Sequence, residues 1–139
     1  MEYKRTNTAL VLRLDPGEDV GESILAAARA EGIRLASVSG IGAVDDVTVG
    51  IFDRSRKAYE NFHYAGDHEI TSLCGSVTTM NGEPYVHLHI TCAGLDGRIV
   101  GGHLVSARIS LTGEIFLTLS EGQAERRRDE NLGINRMVL

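Results

Sequence analysis

Tryptophan is absent from the 139 residues, and aromatic residues make up only 5% of them. A core built from this chain rests on Val, Ile, Leu and Ala. Proline is scarce as well, with 2 residues against 16 glycines. That balance points away from a helical bundle and toward turn-rich β structure. The cysteines, Cys74 and Cys92, stand alone with no Cys-x-x-Cys pair. Each lies in a hydrophobic strand-like run and is expected as a buried free thiol. No segment approaches the apolar length needed to cross a membrane. Met1-Glu2-Tyr3-Lys4-Arg5-Thr6 carries no apolar signal region. The expected setting is a reducing cytoplasm, with no membrane partner.

Positive charge is in deficit too. Lys and Arg number 14 against 19 Asp and Glu, a net charge of -5. A protein whose main task was gripping duplex DNA would carry a basic excess, because phosphate neutralisation dominates such affinity. The balance argues against strong autonomous DNA binding while leaving room for one basic patch. Arg126-Arg127-Arg128 is the dense basic run, diluted by Glu125, Asp129 and Glu130. A solvated surface is its expected setting, and its three arginines are the candidate nucleic-acid contacts. Arg54, Arg56 and Lys57 form a looser second cluster. Nucleotide loops are missing: Ser37 to Val44 has spaced glycines but neither Gly-x-Gly-x-x-Gly nor a Walker sequence. It is expected as a strand bent or bulged where another backbone comes close. No nucleophile elbow is evident either.

In bulk the chain is ordinary, with 42% hydrophobic and 24% charged residues, a composition and length that suit one globular domain over residues 1–139. Thr8 to Leu14 reads as a strand, broken by Asp15-Pro16-Gly17. Asp19 and Glu22 form a capping-box-like pair. Val20, Ile24, Ala27 and Ala28 make an apolar stripe that Gly32 stops, a helix of about 12 residues. Arg34 to Phe52 reads as two strands joined near Asp45-Asp46, and Arg56 to Tyr64 as a more polar one. His68 to Met80 is a strong strand ended by the turn signal Asn81-Gly82. Glu83 to Ala93 and Arg98 to Leu111 are long central strands, and Glu114 to Leu119 adds a short one. After Ser120 the chain turns polar. Strand, helix, then many strands predict an α+β fold: one mostly antiparallel sheet with one main helix packed on it.

One stretch asks for chemistry rather than folding. Pro84-Tyr85-Val86-His87-Leu88-His89-Ile90 is followed by Gly101-Gly102-His103-Leu104. Strand side chains alternate faces, so His87 and His89 leave the same face. If Leu95-Asp96-Gly97 form a three-residue loop with Gly97 left-handed, His89 faces His103 across the ladder. A two-residue Asp-Gly turn would instead oppose Ile90 to His103 and turn that histidine away. A bulge at Gly101-Gly102 could also re-aim it. The convergent register is the expectation, although this stretch is apolar on both faces. Three imidazoles would then hold a divalent metal, zinc first, with nickel, iron or copper open. Cys92 should point to the opposite face, which leaves no obvious fourth ligand. Glu69 opens a hydrophobic strand. It either solvates the strand end or stands near the metal as a supporting carboxylate or general base. Ser39 and Ser106 are further conceivable supports. His63 and His68 flank Ala65-Gly66-Asp67 and are expected as loop histidines.

These segments together resemble the plant and prokaryote conserved, or PPC, domain family over nearly the whole chain. The resemblance runs through Leu12-Arg13-Leu14-Asp15-Pro16-Gly17-Glu18-Asp19, Val38-Ser39-Gly40-Ile41-Gly42-Ala43-Val44 and Glu69-Ile70-Thr71-Ser72-Leu73-Cys74-Gly75-Ser76-Val77. It is most specific at the two histidine segments. It implies an α+β domain that assembles as a homotrimer. The hydrophobic β-rich stretch from Glu69 to Leu119, more than one helix can cover, agrees with self-association. The resemblance also implies a stand-alone prokaryotic protein assigned to DNA binding, with a histidine metal site. In plants the same domain follows an AT-hook, and no Arg-Gly-Arg-Pro occurs here. The element that would enter a minor groove is therefore missing. Two functions follow as expectations. One is a trimeric DNA-binding or regulatory module with a three-histidine metal site. The other is a small metal-dependent enzyme using the open coordination position of that site.

Overall fold

Asp19 sets the start of the helix. In the computed structural model, which describes residues 1–139, its Oδ1 accepts from the Glu22 backbone N–H at 3.0 Å and caps α1 (Val20–Ala30). Its Oδ2 accepts from the Ala107 N–H at 2.9 Å, so the same carboxylate ties the helix start to a strand. Val20, Ile24, Ala27 and Ala28 are fully buried, a stripe at helical spacing. Burying Val20 and Ile24 stabilises the packing by roughly 1.5–3 kcal/mol each. Gly32, at φ +62°, takes the left-handed turn that ends the helix. No helix is long and apolar enough to cross a membrane.

Eight strands make one sheet: β1 (Glu2–Arg5), β2 (Ala9–Leu14), β3 (Ala36–Asp53), β4 (Ala58–Met80), β5 (Glu83–Gly94), β6 (Ile99–Leu119), β7 (Glu125–Asp129) and β8 (Ile134–Val138). All pairings are antiparallel except a single parallel contact of β7 on β4 at Thr79 and Glu125. The four long strands close on themselves, since β3 pairs with β4 and β6, and β5 pairs with the same two. Closure leaves these strands without open edges in that region. β1 and β2 extend the sheet beyond β6, and the β7–β8 hairpin extends it beyond β4. One cluster of 24 buried residues joins the helix stripe to the inner faces of the strands. The expected α+β architecture is therefore the observed one.

Several expected breaks are absent. The two strands expected from Arg34 to Phe52 are one, β3 (Ala36–Asp53), whose register shifts at Gly40/Gly42 and Val44/Asp46 absorb the irregularity as bulges. A Cβ at Gly42 would sit 2.4 Å from the Thr112 carbonyl oxygen, the close backbone approach expected of this glycine-rich stretch. The segments around Ala65-Gly66-Asp67 fuse into β4, and Leu111 runs on through Glu114 in β6. The polar stretch after Ser120, with no element expected of it, forms β7 and β8. Asn81 and Gly82, at φ 55° and 83°, make the expected tight turn between β4 and β5.

Candidate metal centre

Alternation along β5 separates two sets of side chains. Leu88, Ile90 and Cys92 are buried in the core, whereas His87 and His89 leave by the other face. The loop to β6 decides what meets them. Gly97 is left-handed at φ 76°, and its N–H donates to the Gly94 carbonyl at 2.9 Å. The Gly94 N–H donates to the Arg98 carbonyl at 2.9 Å, so Leu95-Asp96-Gly97 form the three-residue loop. His89 consequently lies opposite His103, in a register unbroken from His89 to Ala93. The bulge considered at Gly101-Gly102 does not form on this side. β6 shifts register farther along, between the partners of Thr48 and Val49 on β3.

The three imidazoles converge. Ring centroids stand 5.3 Å apart for His87 and His89, 5.2 Å for His87 and His103, and 5.7 Å for His89 and His103. One nitrogen from each lies within 4.8 Å of the others. Nitrogens on one tetrahedral zinc stand about 3.4 Å apart, so the rings would draw in by up to about 1.4 Å to share an ion. His103 Nδ1 is buried with no hydrogen-bond partner. A buried polar atom left alone is costly, and coordination would satisfy it. The converging group contains no cysteine or carboxylate, which leaves a metal with an open position.

Surroundings favour the neutral form of two of the rings. Burial lowers the His87 pKa to about 4, helped by the Arg126 charge and then by His103 and His89. Burial, then His89, also lowers His103. Neutral imidazole is the ligating form. Tyr59 stacks on His103 at 4.7 Å between centroids. Gly50, opposite His103 in the ladder, makes that possible, because a Cβ there would lie 2.8 Å from Tyr59 Cδ1. Gly75 performs the same service for His87: a Cβ on it would fall 2.0 Å from the His87 carbonyl oxygen.

Other expected residues go elsewhere. Glu69 is exposed and pairs with Ala93, four residues beyond His89, roughly 13 Å along the strand. It shares a separate depression with Asp45, Asp67 and His68, so it does not support the histidines. Ser76, opposite His87, is the nearby serine, whereas Ser39 lies opposite Phe116 and Ser106 opposite Thr48. His63 and His68 stand within β4 rather than in a loop; His63 Nε2 lies 3.1 Å from Asp46 Oδ2, and His68 Nδ1 donates to the Gly66 carbonyl at 2.7 Å. Cys92 is buried as expected, but Cys74 is exposed. Arg127 and Arg128 are exposed, yet Arg126 is 6% exposed and reaches His87 Nδ1 at 3.5 Å. The burial of Arg126 corrects the solvated-surface expectation for that residue. Its phase with buried Ala124 two positions earlier was the available signal.

A family model described as the Plants and Prokaryotes Conserved (PCC) domain matches residues 1–121. The chain belongs to this family. A candidate DNA-binding protein from Bacteroides thetaiotaomicron shares its fold at a TM-score of 0.95 and 28% identity, over 99% of this chain and 96% of that one. A protein of Archaeoglobus fulgidus described as metal-containing does so at 0.87 and 33% identity, over 99% and 97%. AT-hook motif nuclear-localized protein 14 of Arabidopsis thaliana is 27% identical over 123 residues, which are 88% of this chain and 29% of the plant protein. The chain spans between 18% and 32% of the length of the curated relatives it matches. Within this PCC-domain chain, β7 and β8 lie beyond the matched residues.

Proposed function

We propose that His87, His89 and His103 hold one divalent metal ion per chain, zinc first, and that this PCC domain works as a metal-dependent site for a small molecule. The observation that carries the reading is the convergence of three imidazoles with no cysteine or carboxylate among them. A bound ion would supply Lewis-acid chemistry at that position. Burial and the Arg126 charge keep the His87 lone pair free of protons, while Tyr59 fixes the His103 ring. Three imidazole nitrogens suit zinc without selecting it over nickel, iron or copper. The relative described as metal-containing supports the presence of a metal.

Elemental analysis of the purified, untagged protein tests this directly. About one equivalent of metal is expected, with most of it lost in His87→Ala, His89→Ala and His103→Ala. His63→Ala and His68→Ala should retain it. Full metal content in His103→Ala would overturn the constellation.

DNA binding is the second reading, supported by the relative described as a candidate DNA-binding protein. With a net charge of -5 and Arg126 withdrawn from the surface, such binding rests on Arg127 and Arg128 and is weak. Self-association as a homotrimer is supported by exposed apolar side chains on the sheet, among them Ile41, Val105, Leu111 and Phe116. The exposed, unpaired thiol of Cys74 accords with a reducing cytoplasm.

A further inference from the structure

Beside the histidines lies a cleft of about 300 Å³, walled by the β3–β4 hairpin on one side and by β7 and β8 on the other. Its charged lining residues are Lys57, Arg126 and Arg128, and no carboxylate lines it. Arg126 is the unusual one, because a buried guanidinium normally meets a carboxylate. Here every partner is neutral. Nε donates to Thr78 Oγ1 at 2.9 Å and Nη1 to the Asn135 carbonyl at 3.1 Å. Nη2 reaches only Ser76 Oγ at 3.4 Å and His87 Nδ1 at 3.5 Å, both long. The acids nearest in sequence are engaged elsewhere. Glu125 accepts from Thr79 Oγ1 at 2.6 Å and from the Asn81 N–H at 2.7 Å, and Asp129 pairs with Arg136 at 2.9 Å. The guanidinium also packs 5.2 Å from the Tyr85 ring centroid.

We propose that this cleft binds a small organic anion. Its carboxylate or phosphate sits on Arg126, and its apolar body lies against Tyr59 and Tyr85. The inference rests on the metal-site reading for what is done to the ligand, and on Arg126 alone for the ligand's charge. A divalent ion and a guanidinium that share His87 repel each other, and an anion between them relieves both. The planar fork of arginine suits either oxyanion. The cleft volume is at the lower end of small-molecule pockets, which fits a single ring or a short chain rather than a polymer. A duplex phosphate could not reach a side chain that is 6% exposed. The cation comes from β7, so the anion site depends on the C-terminal hairpin.

Isothermal titration of the zinc-loaded protein with benzoate, phenyl phosphate and neutral benzyl alcohol tests the proposal. Both anions should bind and benzyl alcohol should not; the tighter anion identifies the headgroup. Arg126→Gln should weaken the anions about tenfold or more while keeping its zinc. Arg128→Gln and Lys57→Gln, at exposed side chains, should each weaken them about two- to fivefold and carry the test if Arg126→Gln does not fold. Benzyl alcohol binding as tightly as benzoate would overturn the proposal. So would unchanged anion affinity in folded Arg126→Gln, or in both exposed-site variants. If zinc binds stoichiometrically and neither anion does, the anion site falls and the metal reading stands. If zinc does not bind but benzoate still distinguishes wild type from Arg126→Gln, the anion site stands and the metal reading falls.

Discussion

Lowering the pH from about 7.5 to about 5.5 should strip metal from this centre far less than it would from three ordinary imidazoles. Protons and metal compete for the same nitrogen lone pairs. An imidazole of pKa about 6.5 loses roughly tenfold in metal affinity over that interval, and three such ligands lose about 10³ together. His87 does not follow this rule. Burial, then the Arg126 charge, then the neighbouring imidazoles, bring its pKa to about 4. Its factor of about ten therefore leaves the product, and the expected loss is at most about 10². The lowering at His103 reduces it further. The sign for folding is consistent with this. The unfolded chain takes up the His87 proton near pH 6.5, and the folded one only near 4. The metal-free protein thus loses stability as pH falls through that window. Equilibrium dialysis against buffered free zinc, followed by elemental analysis, measures the affinity ratio. A loss of about 10³ or more would refute the reasoning. Arg126→Gln removes the second cause of the lowering and should make the site more acid-sensitive than wild type.

Gly75→Ala should cost about 3 kcal/mol or more in urea unfolding and release metal, because its Cβ would meet the His87 carbonyl. Gly122→Ala, left-handed at φ +89° but with open space around it, should cost only about 1 kcal/mol and keep the metal; equal costs would show that the approach of β4 to β5 is not what demands Gly75. In a filter-binding titration, duplex DNA affinity should vanish by physiological salt, and Arg127→Gln with Arg128→Gln should reduce the salt slope by about 1–2. A tight, sequence-selective complex in that salt would reverse the ranking of the two functions. Light scattering at micromolar concentration should return about 45 kDa, three times the 15.0 kDa chain; a monomer mass would remove the trimer.

Local rules carried the helix and the histidine pair. The Asp19 cap, the stripe from Val20 to Ala28 and the Gly32 stop involve neighbours within one or two turns, so they were legible in order. His87 and His89 share a face because strand periodicity is a property of the backbone alone. Leu95-Asp96-Gly97 could be read as a three-residue loop, but the two-residue alternative was open on sequence grounds. The choice between them follows from pairing along β5 and β6, and it is what brings His103 to His89.

What the sequence determined by itself was the identity and spacing of three imidazoles on strands, together with the family that spacing resembles. Tertiary structure decided everything that needs a partner far along the chain. Asp45-Asp46 and Ala65-Gly66-Asp67 look like breaks, yet the strands run through them, because β3 pairs with both β4 and β6 at Asp46, β4 holds to β3 at Ala65, and bulges absorb the misfit. Glu69 belongs to the right strand but the wrong level of it, a distance that only register fixes. Arg126 is one of three identical letters in a polar run. Docking of β7 beside Thr79 buries it under Tyr85 while Arg127 and Arg128 stay more open to solvent. A side chain's dielectric surroundings are set by what packs over it, and here those residues lie some forty to fifty positions away in the chain.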